Sequence, residues 1–220
     1  MNRRWMLAPL LCTALACGEA ATPGDGDGGA EDGRAADPFA DRVVSYKPGE
    51  GAGFGQDLLP GVVLGPPDGG GPRQSGLNVL SLGREGEIVL QFLDIGLVDG
   101  PGADLLVFEN PFIGWAETGV VAVSEDGQTF HEWPCASKDP AKKFPGCAGV
   151  NPVLSSLSNG VPATDPALAG GDAFDLAELG IARARFVRIR DSGANTYSGS
   201  SGGFDLDAVA VVNGEPLVSP

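Results

Sequence analysis

Few side chains in this 220-residue chain have the chemistry of a catalyst. There is one histidine, His131, two residues before Trp133, and any Ser-His-Asp arrangement would have to use it. No Gly-x-Ser-x-Gly elbow falls at a strand-to-helix turn; Gly199-Ser200-Ser201-Gly202 reads as a loop. A single histidine also excludes a histidine-rich metal centre. Asp and Glu number 29, so a two-carboxylate hydrolase is open to the chain, with Glu109, Glu117 and Glu125 as its candidates. Nothing in their spacing makes two of them face each other, and Glu125 falls in a turn. We assign no catalytic residue and expect no enzyme.

Hard-cation chemistry suits this inventory better. Calcium takes several carboxylate and carbonyl oxygens at about 2.3–2.6 Å. Asp205 and Asp207 are two apart in the apolar run 203–213, which places both on one face of a strand. Phe204, Leu206, Ala208, Ala210 and Val212 then form the core-directed face. The alternative for these acids is to cap loop amides or to pair with Arg188 and Arg190. The net charge of −15 favours solubility and divalent cations. It argues against nucleic acid and anionic membrane surfaces as partners.

Residues 1–17 read as a secretion signal. Arg3 and Arg4 precede the apolar run Trp5–Ala16, which is shorter than the roughly 20 residues a membrane span needs. It ends in Thr13-Ala14-Leu15-Ala16-Cys17-Gly18. That ending resembles the bacterial lipobox, with Ala14 where Leu is usual, and the resemblance implies a lipid on Cys17. An ordinary cleaved signal is the alternative. Residues 18–38 are rich in Gly, Ala and acids. They cannot bury enough apolar surface to offset ordering entropy, so a disordered tether is expected. With Cys12 and Cys17 in the signal, Cys135 and Cys147 are left as an even pair in an exported domain. A disulfide between them is expected, closing a loop that holds Lys138, Lys142 and Lys143.

Residues 39–220 fit one domain. Short runs of Val, Leu, Ile and Phe are punctuated by Gly and Pro, the pattern of an all-β sandwich. Strands are expected at 42–46, in 79–93, at 104–110, 120–124 and 128–133, in 184–191 and in 203–213. Ile88, Leu90 and Phe92 alternate with their neighbours, and 104–110 is apolar enough to be central. Glu125-Asp126-Gly127 predicts a tight hairpin turn. Asp172–Gly180 predicts one or two helical turns, capped by Asp172 and ended by Gly180.

Several segments then line up in order: LGPPDG, SLGREGEIVLQF, DGPGADLLVFENPF, VSEDGQTF, ARARFVRIRD and GGFDLDAVAVVN. Together they resemble bacterial cell-surface proteins and lipoproteins with a discoidin-like domain. The resemblance implies a galactose-binding-domain-like jelly roll. It also implies a structural calcium between an early loop acid, which Asp68 matches, and a last-strand acid, which Asp205 or Asp207 matches. By fold analogy it implies a non-catalytic binding or adhesion module of the cell envelope, with glycan as the leading ligand class and loop aromatics, Trp115 and Tyr197 foremost, as contacts. A polysaccharide hydrolase and a purely structural envelope component are the alternatives.

Overall fold

The computed structural model describes residues 36–217, apart from 112, 196–198 and 201. The signal-like segment, Cys17, Tyr197 and most of the linker lie outside the described residues.

Alternating and apolar runs become strands. In chain order these are β1 (Arg42–Lys47), β2 (Leu80–Ser81), β3 (Glu87–Gln91), β4 (Ile95–Val98), β5 (Leu105–Glu109), β6 (Gly119–Ser124), β7 (His131–Glu132), β8 (Asp172–Phe174), β9 (Arg183–Ala184), β10 (Phe186–Asp191), β11 (Asp205–Val211) and β12 (Gly214–Pro216). A five-stranded sheet runs β1-β3-β10-β6-β7 and a four-stranded sheet β2-β11-β5-β8, with a small β12-β4-β9 sheet beside them. The pairings are antiparallel. Ile88 and Leu90 of β3, Val187 and Ile189 of β10, and Val121 and Val123 of β6 share one core with Leu105 and Val107 of β5 and Leu206, Val209 and Val211 of β11. The protein is therefore an all-β sandwich, driven by burial of these inward rows.

The four-stranded sheet is covered on its second face as well. Leu106 and Phe108 of β5 pack with Ala208 and Ala210 of β11 against Val153 and Ala169. A strand buried on both faces has no polar row, which explains the unbroken Leu105–Phe108 run.

Three expectations change in detail. On β11, Leu206 pairs with Glu109 and Ala208 with Phe108, so two residues advance against one. Asp207 is the extra residue, and beyond it the alternation inverts. Ala208 and Ala210 therefore leave the inner face predicted for them, and Val209 and Val211 take it. The hairpin after β6 is wider than a tight turn: β7 begins only at His131, which pairs with Val123. Asp126 shapes it by accepting from the Ser124 hydroxyl and from the amides of Gln128 and Thr129. Finally, Asp172 opens a strand instead of capping a helix. The cap is Asp175, which accepts from Ala177 N at the head of a single 3-10 turn, Leu176–Leu179, closed by Gly180 at φ 66°.

Cys135 and Cys147 are joined by a disulfide across 12 residues. Closing a loop of this length removes entropy from the unfolded chain worth about 3 kcal/mol. Replacing both cysteines by serine should cost about that much in denaturant unfolding. A loss under about 1 kcal/mol would mean that the loop is held equally well by its own hydrogen bonds.

Candidate functional site

The strand directions gather acids at one end of the sandwich. In the four-stranded sheet, β5 ends at Glu109 where β11 begins at Asp205. In the facing sheet, β10 ends at Asp191 beside the start of β6 at Gly119, two residues after Glu117.

Glu109, Glu117 and Asp205 meet there. Each offers a carboxylate oxygen, and these oxygens lie within 4.8 Å of one another. Glu109 is 1% exposed, and Glu117 and Asp205 are each 6% exposed. The Asp205 amide donates to Glu109 Oε1 at 3.4 Å. Glu109 Oε2 and Asp205 Oδ1 are buried with no hydrogen-bond partner. Burial pushes the Glu109 carboxyl well above its ordinary range, and Asp205, Glu117 and Asp172 push it further. Burial raises Glu117 to about 8, with Asp205 and Asp191 adding to it. Burial raises Asp205 to about 7 despite the Ser81 hydroxyl, with Asp191 again adding. The charged neighbours acting on the three are all acids. Among the described residues, the ion pairs seen involve none of them.

Backbone contacts fix the site's frame. Ser192 N donates to Thr118 O, and the Thr118 and Ser192 hydroxyls lie 2.6 Å apart. Gly149 passes so close to Glu117 that a Cβ would sit 2.1 Å from its carbonyl oxygen, and its φ is +81°; only glycine fits there.

Three other buried acids, Asp191, Asp172 and Asp104, are each held by several donors. Asp191 accepts from the amides of Glu85, Gly193 and Phe204. Asp172 accepts from the amides of Gly149, Val150 and Asn151 and from Asn151 Nδ2. Asp104 accepts from the amides of Gly100 and Leu176 and from Asn213 Nδ2. Asp99, Asp104 and Asp175 also cluster, but Asp104 and Asp175 there are staples for backbone amides. Among the described residues, only the first cluster leaves buried carboxylate oxygens idle, which is costly unless something neutralises them.

The three acids expected to share a cation are divided. Asp207 accepts from Asp68 N at 3.0 and 3.2 Å, and Asp68 Oδ1 accepts from the Ser156 hydroxyl. Burial raises Asp207 to about 7 against the bond from Asp68 N, with the Asp68 charge raising it further. Asp205 belongs instead with Glu109 and Glu117. The slip at Asp207 is the reason: spacing by two no longer means a shared face. Arg188 and Arg190 reach Glu132, at 3.4 and 3.5 Å, not Asp205 or Asp207. Glu109 and Glu117, named in sequence only as hydrolase candidates, are the partners that reasoning missed for Asp205. One signal was available: an acid closing an apolar strand covered on both faces has to be buried. Glu125 is exposed.

A second feature lies by the disulfide. Trp133 and Phe174, with ring centroids 5.0 Å apart, floor a cleft of about 390 Å³ that Lys143, Phe144, Asn151 and Glu178 help to line. Its size falls in the range of small-molecule sites. Lys143 and Phe144 stand at φ 59° and 51°, a left-handed conformation costly for side chains of this size. The Cys135–Cys147 loop holds them in it. Trp115 is 45% exposed and is not part of this lining. His131 is exposed.

No protein-family model matches the chain, and no curated protein matches it. Among the described residues no helix is long and apolar enough to cross a membrane.

Proposed function

We propose that this chain is a non-catalytic binding module of the bacterial cell envelope, tethered by a lipid on Cys17, and that its ligand is an acidic glycan. The observation that carries the reading is the cleft beside the disulfide. It combines an aromatic floor and rim with Asn151 and Glu178, groups able to bond sugar hydroxyls, and with Lys143. Three of the chain's four lysines, Lys138, Lys142 and Lys143, stand on this one loop of a protein with net charge −15. Lys142 is paired with Asp139 on this loop, and Lys143 on the cleft wall is the charge that would meet an anionic ligand. The discoidin-like resemblance, with its galactose-binding-domain-like jelly roll, points to the same ligand class. The hydrolase alternative is disfavoured by burial. A carboxyl that is 1% exposed, as in Glu109, cannot reach a glycosidic oxygen in a polymer.

The test is a glycan array with purified chain, including oligosaccharides that carry carboxylate groups. Binding should favour the acidic glycans and weaken with added salt. It should fall about tenfold or more in Phe144→Ala and Lys143→Ala. No binding by a folded sample would leave the purely structural envelope role. Mass spectrometry of the protein isolated from cells tests the tether separately: a mature terminus lacking Cys17 would end the lipid reading.

A further inference from the structure

We propose that Glu109, Glu117 and Asp205 bind one hard divalent cation, calcium, which clamps the two sheets together at the end of the sandwich. The claim is independent of the glycan cleft, so either can fail alone.

The donor set specifies the ion. Three carboxylate groups converge, with no sulfur or imidazole in the cluster, which selects a hard cation over zinc or copper. The three oxygens lie within 4.8 Å of one another, close enough to share one ion. Magnesium gives up its waters reluctantly and is ordinarily held by one or two carboxylates, so three buried carboxylates suit calcium better.

The second observation is independent of the clustering. Glu109 Oε2 and Asp205 Oδ1 are buried and make no hydrogen bond. Other buried acids among the described residues have donors on their carboxylates: several at Asp191 and Asp172, and one amide shared by both oxygens at Asp207. The Ser81 hydroxyl beside Asp205 donates to the Gly202 carbonyl and brings no positive charge to the cluster. A bound cation supplies the missing partner for the idle oxygens and the missing positive charge together.

The mechanical consequence follows from the topology. Glu109 closes β5, Asp205 opens β11, and Glu117 leads into β6 of the other sheet. One ion held by all three fixes the entry and exit of the 110–118 segment and the exit of the 192–204 segment.

The experiment uses the purified chain stripped with a chelator, then titrated with calcium chloride by calorimetry and melted with and without calcium at about 1 mM, the range of extracellular calcium modules. Binding at one site and a clear rise in melting temperature are expected. Glu117→Gln and Asp205→Asn should each weaken calcium binding about tenfold or more and abolish the thermal rise. Circular dichroism checks their folding. Both substitutions remove a charge that lacks a partner, so the metal-free variants should melt no lower than the metal-free wild type. If one fails to fold, the other decides. Asp68→Asn, outside the cluster, should keep the full calcium response. The proposal is overturned if the wild type binds no calcium, if either folded cluster variant retains the wild-type response, or if Asp68→Asn abolishes it.

Discussion

Stripped of divalent ions, the protein should melt at a lower temperature at about pH 8 than at about pH 5. Most proteins gain or hold stability over this interval as their acids ionise, so the direction is diagnostic. Its origin is the raised pKa of buried acids, Glu117 and Asp205 in the cluster foremost, with Asp207 and Asp172, raised to about 7 and about 6, adding outside it. In the unfolded chain Glu117 and Asp205 titrate near their ordinary values of 4.5 and 3.8; folded, they titrate at about 8 and about 7. Below the unfolded values both states are protonated and the burial carries no penalty. As pH rises from about 4 to about 8, the unfolded state gives up these protons first, so stability falls. Above the folded values the whole penalty is present. Each pKa unit corresponds to about 1.4 kcal/mol, but carboxylates this close do not ionise independently and share the penalty. A loss on the order of 3 kcal/mol, or roughly 10 °C, is expected. Calcium, which competes with protons for the cluster's oxygens, should remove the cluster's share of it. Calorimetric melts across this pH range, with and without calcium, read both effects. A metal-free protein whose stability rises with pH would show that burial does not hold these carboxyls above their ordinary range.

The second large effect is expected at Asp191. Its carboxylate is completely buried and holds the amides of Glu85, Gly193 and Phe204 at 2.9, 2.8 and 3.0 Å. It thereby ties the end of β10 to the turn before β3 and to the residue that leads into β11. Asp191→Ala leaves three amides without their acceptor, each worth about 1–3 kcal/mol when buried. One effect opposes this: Asp191 also repels Glu117 and Asp205, and its removal relieves them. The hydrogen bonds should win, because they are direct contacts and the repulsion acts at longer range. A net loss of about 3–5 kcal/mol in denaturant unfolding is expected, together with weaker calcium binding, since Phe204 and Asp205 lose their anchor. A loss below about 1 kcal/mol would mean that the neighbouring segments find other acceptors.

Much of the architecture was legible in the residues. Alternation at Ile88, Leu90 and Phe92 is a local property, and so is the unbroken run at 105–108. The even pair Cys135 and Cys147 needed only counting. The register of β11 was not legible, because the slip at Asp207 is decided by β5, about a hundred residues upstream. That one slip separated Asp207 from Asp205 and moved Ala208 and Ala210 to the outer face. The wider hairpin followed from the side chain of Asp126, which competes with the two-residue turn its sequence suggests. The acid cluster was half legible. Asp205, Glu109 and Glu117 were each singled out, under different chemistries. Their meeting depends on pairing between β5 and β11 and on the stacking of two sheets, neither of which any spacing encodes. The cleft by the disulfide was missed. The lysines of its loop were visible in sequence, but Trp133 and Phe174 become its floor only when β8 and the segment after β7 come together.

The most direct test of the cation clamp is a crystal structure of the protein grown in calcium, with anomalous data collected to locate the ion. The account predicts one peak among Glu109, Glu117 and Asp205, with an oxygen of each at about 2.3–2.6 Å. Well-ordered carboxyls with no ion between them, or an ion seated at Asp68 and Asp207 instead, would contradict it.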